Sequence, residues 1–217
     1  MPLLEVAKTA KSVTNMALFV GHDGPNVRCI LYDPTILEEL YRVYSEHYGE
    51  LSLDRMASIQ NSFTIPNPVY GMMRLDKKTE YNTWIVQSSA AEKGYGPLMY
   101  DIAFSFAGKS GLAPDRQSIT PKAINIWNYI FTNRRDEFDF FPLKDQSGNE
   151  SQRYTDYGMN QLDQKVVMKI PNNSVFQSLF QKNRVVLSTL KQIKTNFEPK
   201  KFLAIAARQF FLEKYAA

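Results

Sequence analysis

The spacing of apolar positions changes several times along the chain, and each change predicts an element. Val27-Arg28-Cys29-Ile30-Leu31-Tyr32 reads as a buried strand within Asn26 to Tyr32. Asp33-Pro34 turns the chain into Thr35 to Tyr48, where Ile36, Leu37, Leu40, Tyr41, Val43 and Tyr44 fall at helical spacing behind an Asp33 cap. Asn61 to Asn67 is short and broken by Pro66. Val69 to Leu75 then reads as a strand, Asp76 to Glu80 as a charged turn and Tyr81 to Ser88 as the hairpin partner. A glycine-containing loop leads into a helix beginning at Pro97, with Leu98, Met99, Ile102, Ala103 and Phe106 on its apolar face and Gly108 and Gly111 at its end.

Leu112 to Ile119 has room for one strand or an extended link. Thr120-Pro121 is a cap followed by proline in the first turn, and Ala123, Ile124, Ile126, Trp127, Ile130 and Phe131 carry a second helix to Asn133. Phe138 to Leu143 reads as a strand, and Gln146 to Tyr157, rich in Ser, Gly, Asn and Gln, as a loop or hinge. Two helices close the chain. Val175, Phe176, Leu179, Phe180, Val186, Leu187, Leu190 and Ile193 form the stripe of one, and after Glu198-Pro199 the second carries Phe202, Leu203, Ala206, Phe210 and Phe211.

Composition adds limits. The 217 residues are 44% apolar, enough for one domain with a real core. The longest apolar runs, such as Phe202 to Ala207, fall far short of the roughly 20 residues of a membrane span. Met1 to Val13 lacks the apolar stretch of a secretory signal, which predicts a cytoplasmic protein. Cys29 is the single cysteine, so no intramolecular disulfide forms, and its strand makes it a core residue. With His22 and His47 as the two histidines, no metal site is expected.

Charge is distributed unevenly. Residues 161–217 hold ten Lys or Arg against three acids, a net +7, which leaves the first 160 residues at −3 of the total +4. Lys182, Lys191, Lys194, Lys201 and Lys214 lie mainly between the apolar positions of the two final helices, as a solvated face requires. A nucleic-acid surface is the alternative use of this charge, although no dense basic run or DNA-binding motif appears. The expected use is a helical pair docking on its own domain or on a second subunit.

One segment carries candidate chemistry. A strand, a loop and a helix start place the backbone N–H groups of Lys93, Gly94, Tyr95, Gly96 and Leu98 near a helix N-terminus, where unpaired donors and the helix dipole suit a phosphate. Gly94-x-Gly96 is not a dinucleotide fingerprint, because Met99 stands where the third glycine belongs. Glu92 and Glu80 are candidate bases. Asp101 is expected in the first turn of its helix, stabilised by the dipole. Asp115 and Arg116 are expected either beside a cofactor or as an ion pair fixing the link between two helices.

These residues resemble a known family. A strand, a Gln/Arg-x-x-Gly-x-Gly/Ala loop and a helix, then a strand and a helix with an Asn-x-x-Ala-x-x-Leu-Tyr pattern, form the coenzyme A core of the GNAT acyltransferase superfamily. This chain is similar over roughly residues 69–140, through Ala91-Glu92-Lys93-Gly94-Tyr95-Gly96 and Thr120-Pro121-Lys122-Ala123-Ile124-Asn125-Ile126-Trp127. Ala91 stands at the family's Gln/Arg position, Thr120 at its Asn and Trp127 at its Tyr. The resemblance implies that the loop amides of Lys93, Gly94, Tyr95, Gly96 and Leu98 hold the pyrophosphate of acetyl-CoA. It also implies a general-acid tyrosine on the later helix, for which Tyr129 is available, two residues and about 200° of rotation from the family position. Glu92 is the corresponding base candidate.

Lys93-Gly94-Tyr95-Gly96-Pro97-Leu98-Met99-Tyr100-Asp101 and Asp115-Arg116-Gln117-Ser118 are also similar to segments of proteins encoded by tailed bacteriophages. The resulting expectation is an α/β (α+β) fold, with a GNAT-like, mostly antiparallel mixed sheet flanked by helices and a C-terminal helical extension. Its divisions are residues 1–145 as the GNAT-like domain, 146–160 as a polar loop or hinge and 161–217 as a basic helical extension. Two functions follow: an acetyl-CoA-dependent N-acyltransferase, or a non-catalytic phage virion or assembly protein docking neighbours through its C-terminal helices. The implied setting is a virion or the host cytoplasm, with virion proteins or further copies of the chain as partners and no membrane.

Overall fold

In the computed structural model the described residues are 15–117, 119–154, 158–170, 173–193 and 195–216. Met1 to Val13, Ser118, Tyr157 and Lys194, which figure in the sequence reading, lie outside them. Seven strands form one sheet: β1 (Ala17–Asp23), β2 (Asn26–Tyr32), β3 (Val69–Lys78), β4 (Thr83–Ala91), β5 (Leu112–Pro114), β6 (Phe138–Pro142) and β7 (Gln164–Met168). Their order is β1-β2-β3-β4-β5-β7-β6, antiparallel throughout except for the parallel β4–β5 pair. The expected mixed, mostly antiparallel α/β sheet flanked by helices is therefore observed.

Helices fill the connections. α1 (Pro34–His47) and α2 (Leu53–Phe63) link β2 to β3, α3 (Gly96–Ala107) links β4 to β5, α4 (Pro121–Asn133) links β5 to β6, and α5 (Asn173–Leu190) and α6 (Pro199–Ala216) follow β7. The predicted caps are formed: the Asp33 carboxylate accepts from the amides of Thr35 at 2.8 Å and Ile36 at 3.2 Å, and Thr120 Oγ1 accepts from Ala123 at 3.2 Å.

The sheet is covered on both faces, which explains why β2 reads as a nearly continuous apolar run. Val27, Cys29 and Leu31 point to a core built with α3 and α4, and Ile30 and Tyr32 point to a second core built with α1, α2 and α6. α5 runs along β1 and joins both cores, with Leu179 in the first and Val186 and Leu190 in the second. The C-terminal helices thus dock on their own domain. Phe202 is fully buried, 4.9 Å from the ring of Tyr41 and 5.3 Å from that of Tyr44.

Three elements lie outside the sequence prediction. β7, inside the segment read as helical, pairs with β6 over five residues and touches β5 at Leu112↔Val166. β1 and α2 are the other two. Among the described residues no helix is long and apolar enough to cross a membrane.

Candidate functional site

Two departures from regular pairing open the sheet at one place. β4 and β5 pair only over Trp84↔Leu112, Ile85↔Ala113 and Val86↔Pro114, and beyond them residues 87–91 of β4 have no strand partner on that side among the described residues. At the same point β4 bulges. Arg74 pairs with Ser88 and Leu75 with Val86, so Gln87 is the extra residue, and its side-chain Nε2 donates to Asp76 Oδ2 at 3.0 Å. The splayed strands leave a cleft of about 890 Å³. Its walls are the open edge of β4, the start of α3, Asp115, Ile119 and Thr120 between β5 and α4, the first turns of α4, and Phe211, Lys214 and Tyr215 from the end of α6.

The glycine loop lies at the mouth. Tyr95 N–H donates to the Glu92 carbonyl at 3.0 Å, closing a turn over Lys93 and Gly94. Gly94 has φ +93°, the value that a type II turn assigns to its third residue and that glycine adopts without strain. The first helical hydrogen bond of α3 is Met99 N–H to Tyr95 O at 3.1 Å. The amides of Lys93, Gly94, Gly96 and Leu98 make no backbone bond among the described residues, as expected for a turn and a first helical turn. Tyr95 is the exception: its amide, predicted as an anion donor, is used by the turn. Of the predicted binding residues, Gly94 and Gly96 line the cleft, the Lys93 side chain is exposed beside it, and the Leu98 side chain is buried in the core.

Tyr129 is not at the cleft. Ala123, Ile126 and Trp127 present one side of α4 to it, and the 200° between positions 127 and 129 turns Tyr129 elsewhere. Trp127 is buried and packs edge-on against Tyr100 at 5.6 Å. Glu92 does line the cleft, with its carboxylate paired to Lys214 of α6 at 2.7 Å. Glu80 lies in the 3₁₀ turn Thr79–Tyr81 between β3 and β4, away from the cleft lining.

Asp101 lies in the second turn of α3, not the first. It is held by Arg134 at 2.6 Å, and Arg134 in turn binds Glu137 at 2.6 Å. Burial raises the Asp101 carboxyl while the guanidinium opposes that rise, so the ion pair, not the helix dipole, accounts for this aspartate. Arg116 pairs with Asp163 rather than Asp115 and also donates to Leu162 O at 2.8 Å. It ties the β5–α4 link to the segment before β7, while Asp115 faces the cleft.

Tyr100 belongs to the Lys93 to Asp101 segment, and its place in the fold, not the motif, singles it out. Its side chain is 1% exposed, lines the cleft beside Ser89 and Tyr215, and has a hydroxyl with no hydrogen-bond partner among the described residues. Ser89 stands near enough to favour the ionised form slightly but outside hydrogen-bonding geometry. Burial dominates and pushes the Tyr100 pKa up to about 12, so the hydroxyl keeps its proton. An enclosed O–H without an acceptor costs free energy that a ligand acceptor relieves.

Compared with protein-family models, curated proteins and solved structures, the chain matches none.

Proposed function

We propose that the cleft binds an acyl-coenzyme A and that the protein is a phage-encoded, GNAT-like N-acyltransferase. The observation that carries this reading is the meeting of two features. The open edge of β4, which beyond Val86 has no strand partner among the described residues and where only Ser89 O accepts a long bond from the Tyr215 hydroxyl at 3.5 Å, offers backbone groups to an extended amide chain such as pantetheine, and it ends at a glycine turn whose free amides suit a pyrophosphate. Lys122 on the cleft wall and Lys93 beside it add positive charge, while Lys214 is paired with Glu92. When bound, the coenzyme supplies the activated acyl thioester.

Tyr100 takes the acid role expected of Tyr129. A neutral amine attacks the carbonyl carbon, the C–N bond forms and the C–S bond breaks. The departing thiolate takes the Tyr100 proton, and the proton released by the new amide nitrogen returns through solvent to the tyrosine. What supports that role is position: the hydroxyl lines the cleft beside β4 and has no acceptor of its own among the described residues.

Calorimetric titration with acetyl-CoA tests the reading. Binding at tens of micromolar or tighter is expected for the wild type. Gly94→Glu, which places a carboxylate at the anion site, abolishes it, whereas Gly94→Ala carries the same backbone strain without the charge and retains it. Absence of heat with the wild type overturns the proposal, and equal binding by Gly94→Glu moves the site elsewhere.

A second reading, a virion or assembly protein without catalysis, draws on large apolar side chains exposed in the C-terminal part: Ile170 at 85%, Val185 at 66% and Leu212 at 52%. Mass spectrometry of purified particles decides it, since absence of the chain from the virion removes this role.

A further inference from the structure

The strand registers resolve the face of the sheet under α1, α2 and α6 into rows. Ala17, Tyr32 and Val69 form one row, and Phe19, Ile30, Met72 and Ala90 the next; these are apolar and belong to the core beneath the helices. The following row reads Gly21, Arg28, Arg74, Ser88 across β1 to β4. Two arginines therefore stand directly opposite each other on neighbouring strands, and of the two Arg28 has an interaction of its own. Arg74 is half-buried, its Nε is enclosed without an acceptor, and no partner for its guanidinium exists among the described residues. The next carboxylate along β3, Asp76, is taken by Lys78 at 2.7 Å and Gln87 at 3.0 Å. At the β1 end, the Phe19 ring lies over Gly21 and walls the row. At the other end, Ser88 is itself a wall of the coenzyme cleft.

A guanidinium lacking a counter-charge, with one donor shut away from water, is complementary to a carboxylate or phosphate. We infer that Arg74, next to Arg28, binds the anionic group of the acyl acceptor, a small amine bearing a carboxylate or a phosphate. The anion lies on the row and the amine reaches the thioester past Ser88, its neighbour on β4. The acceptor role rests on the acyl-transfer reading; the anion site does not.

Two measurements separate these parts. In ¹⁵N-labelled protein, the Arg74 Nε–H signal, identified by its loss in Arg74→Lys, is followed while inorganic phosphate and, separately, acetate are added. A saturable shift is expected with at least one anion, and no shift with either overturns the site. Thiol release from acetyl-CoA is then compared for glycine against glycinamide and phosphoethanolamine against ethanolamine. At least one anionic amine is expected to exceed its uncharged counterpart, and the pair that responds distinguishes carboxylate from phosphate. Arg74→Gln raises KM for that amine about tenfold, the loss of one charge-assisted hydrogen bond, and leaves acetyl-CoA affinity unchanged. Equal use of charged and uncharged amines, or no turnover with any of the four while acetyl-CoA binds, overturns the acceptor role. Failure of acetyl-CoA to bind removes the acyl-transfer reading, while the Nε titration still reports on the anion site.

Discussion

Gly94 has open space where a Cβ would lie, so a substitution there meets backbone strain and no steric neighbour. Gly94→Ala is expected to lower stability by about 1 kcal/mol in urea titration, the cost of a left-handed φ for an L-residue. Gly96, equally uncrowded but at the start of α3, gives the control: Gly96→Ala leaves stability unchanged or raises it by a few tenths of a kcal/mol. Arg134 presents a different risk. It is 3% exposed, bound to Asp101 and Glu137, and its guanidinium lies 5.1 Å from the centre of the Phe138 ring. Arg134→Met strands the Asp101 carboxylate in the core, and a loss of about 3–5 kcal/mol is expected by chemical denaturation. Most of that loss is recovered when Asp101→Leu is added, because the penalty belongs to the unpaired charge. No recovery in the double variant would show that packing around the guanidinium, not charge, holds this site.

The last turn of α6 connects two elements distant in sequence. Lys214 pairs with Glu92 at the glycine loop, and Phe211 and Tyr215, stacked at 4.1 Å, close the cleft wall. The ion pair is well exposed, so Lys214→Ala is expected to change stability by less than 1 kcal/mol in urea. The same change weakens acetyl-CoA binding about three- to tenfold, since it leaves the Glu92 carboxylate unpaired beside the glycine loop; unchanged affinity would place the phosphates away from α6. Nothing near Glu92 in sequence announces this contact. Elements with local signals were legible: the Asp33 and Thr120 caps, Pro97 in the first turn of α3, and the β3–β4 hairpin. β1 was missed although Asp23-Gly24 before β2 is a hairpin signal, with Gly24 at φ +60° and Asp23↔Asn26 closing the pair. α2 was missed because its Ser, Gln and Asn residues leave few buried positions, Met56, Ile59 and Gln60. β7 has five residues, two of them buried, and its identity as a strand depends on β6 beside it. In the site, the glycine turn was readable because its chemistry is local. Tyr100, Ser88 and Arg74 were not, since a bulge at Gln87 and pairing across four strands decide what they face.

The charge asymmetry, −3 over residues 1–160 and +7 over 161–217, suggested a separable basic tail, but burial ties the two parts together. Phe202, Leu203, Ala206 and Phe210 complete the core that α1 and α2 begin, so a chain ending at residue 160 loses β7, α5 and α6 and leaves Tyr41 and Tyr44 uncovered. Such a truncation is expected to show no cooperative thermal transition by circular dichroism, whereas the full chain unfolds in one step. The shared interior also sets the alkaline limit. Burial pushes the Cys29 thiol up to about 12 from 9.0 and the Tyr100 hydroxyl up to about 12 from 10.0, and it raises Tyr32 as well. Each group holds its proton more tightly folded than unfolded, so its contribution is complete below the unfolded pKa and is lost as pH rises toward the folded one. Stability should be flat up to about pH 8.5 and then fall. By pH 10.5 the thiol alone accounts for about 2 kcal/mol. Cys29→Ala removes the early part of that fall, between pH 9 and 10, while the tyrosine part remains. Urea midpoints recorded across this range for both proteins provide the check, and parallel curves would mean that the thiol is hydrated in the fold rather than sealed between β2 and α3.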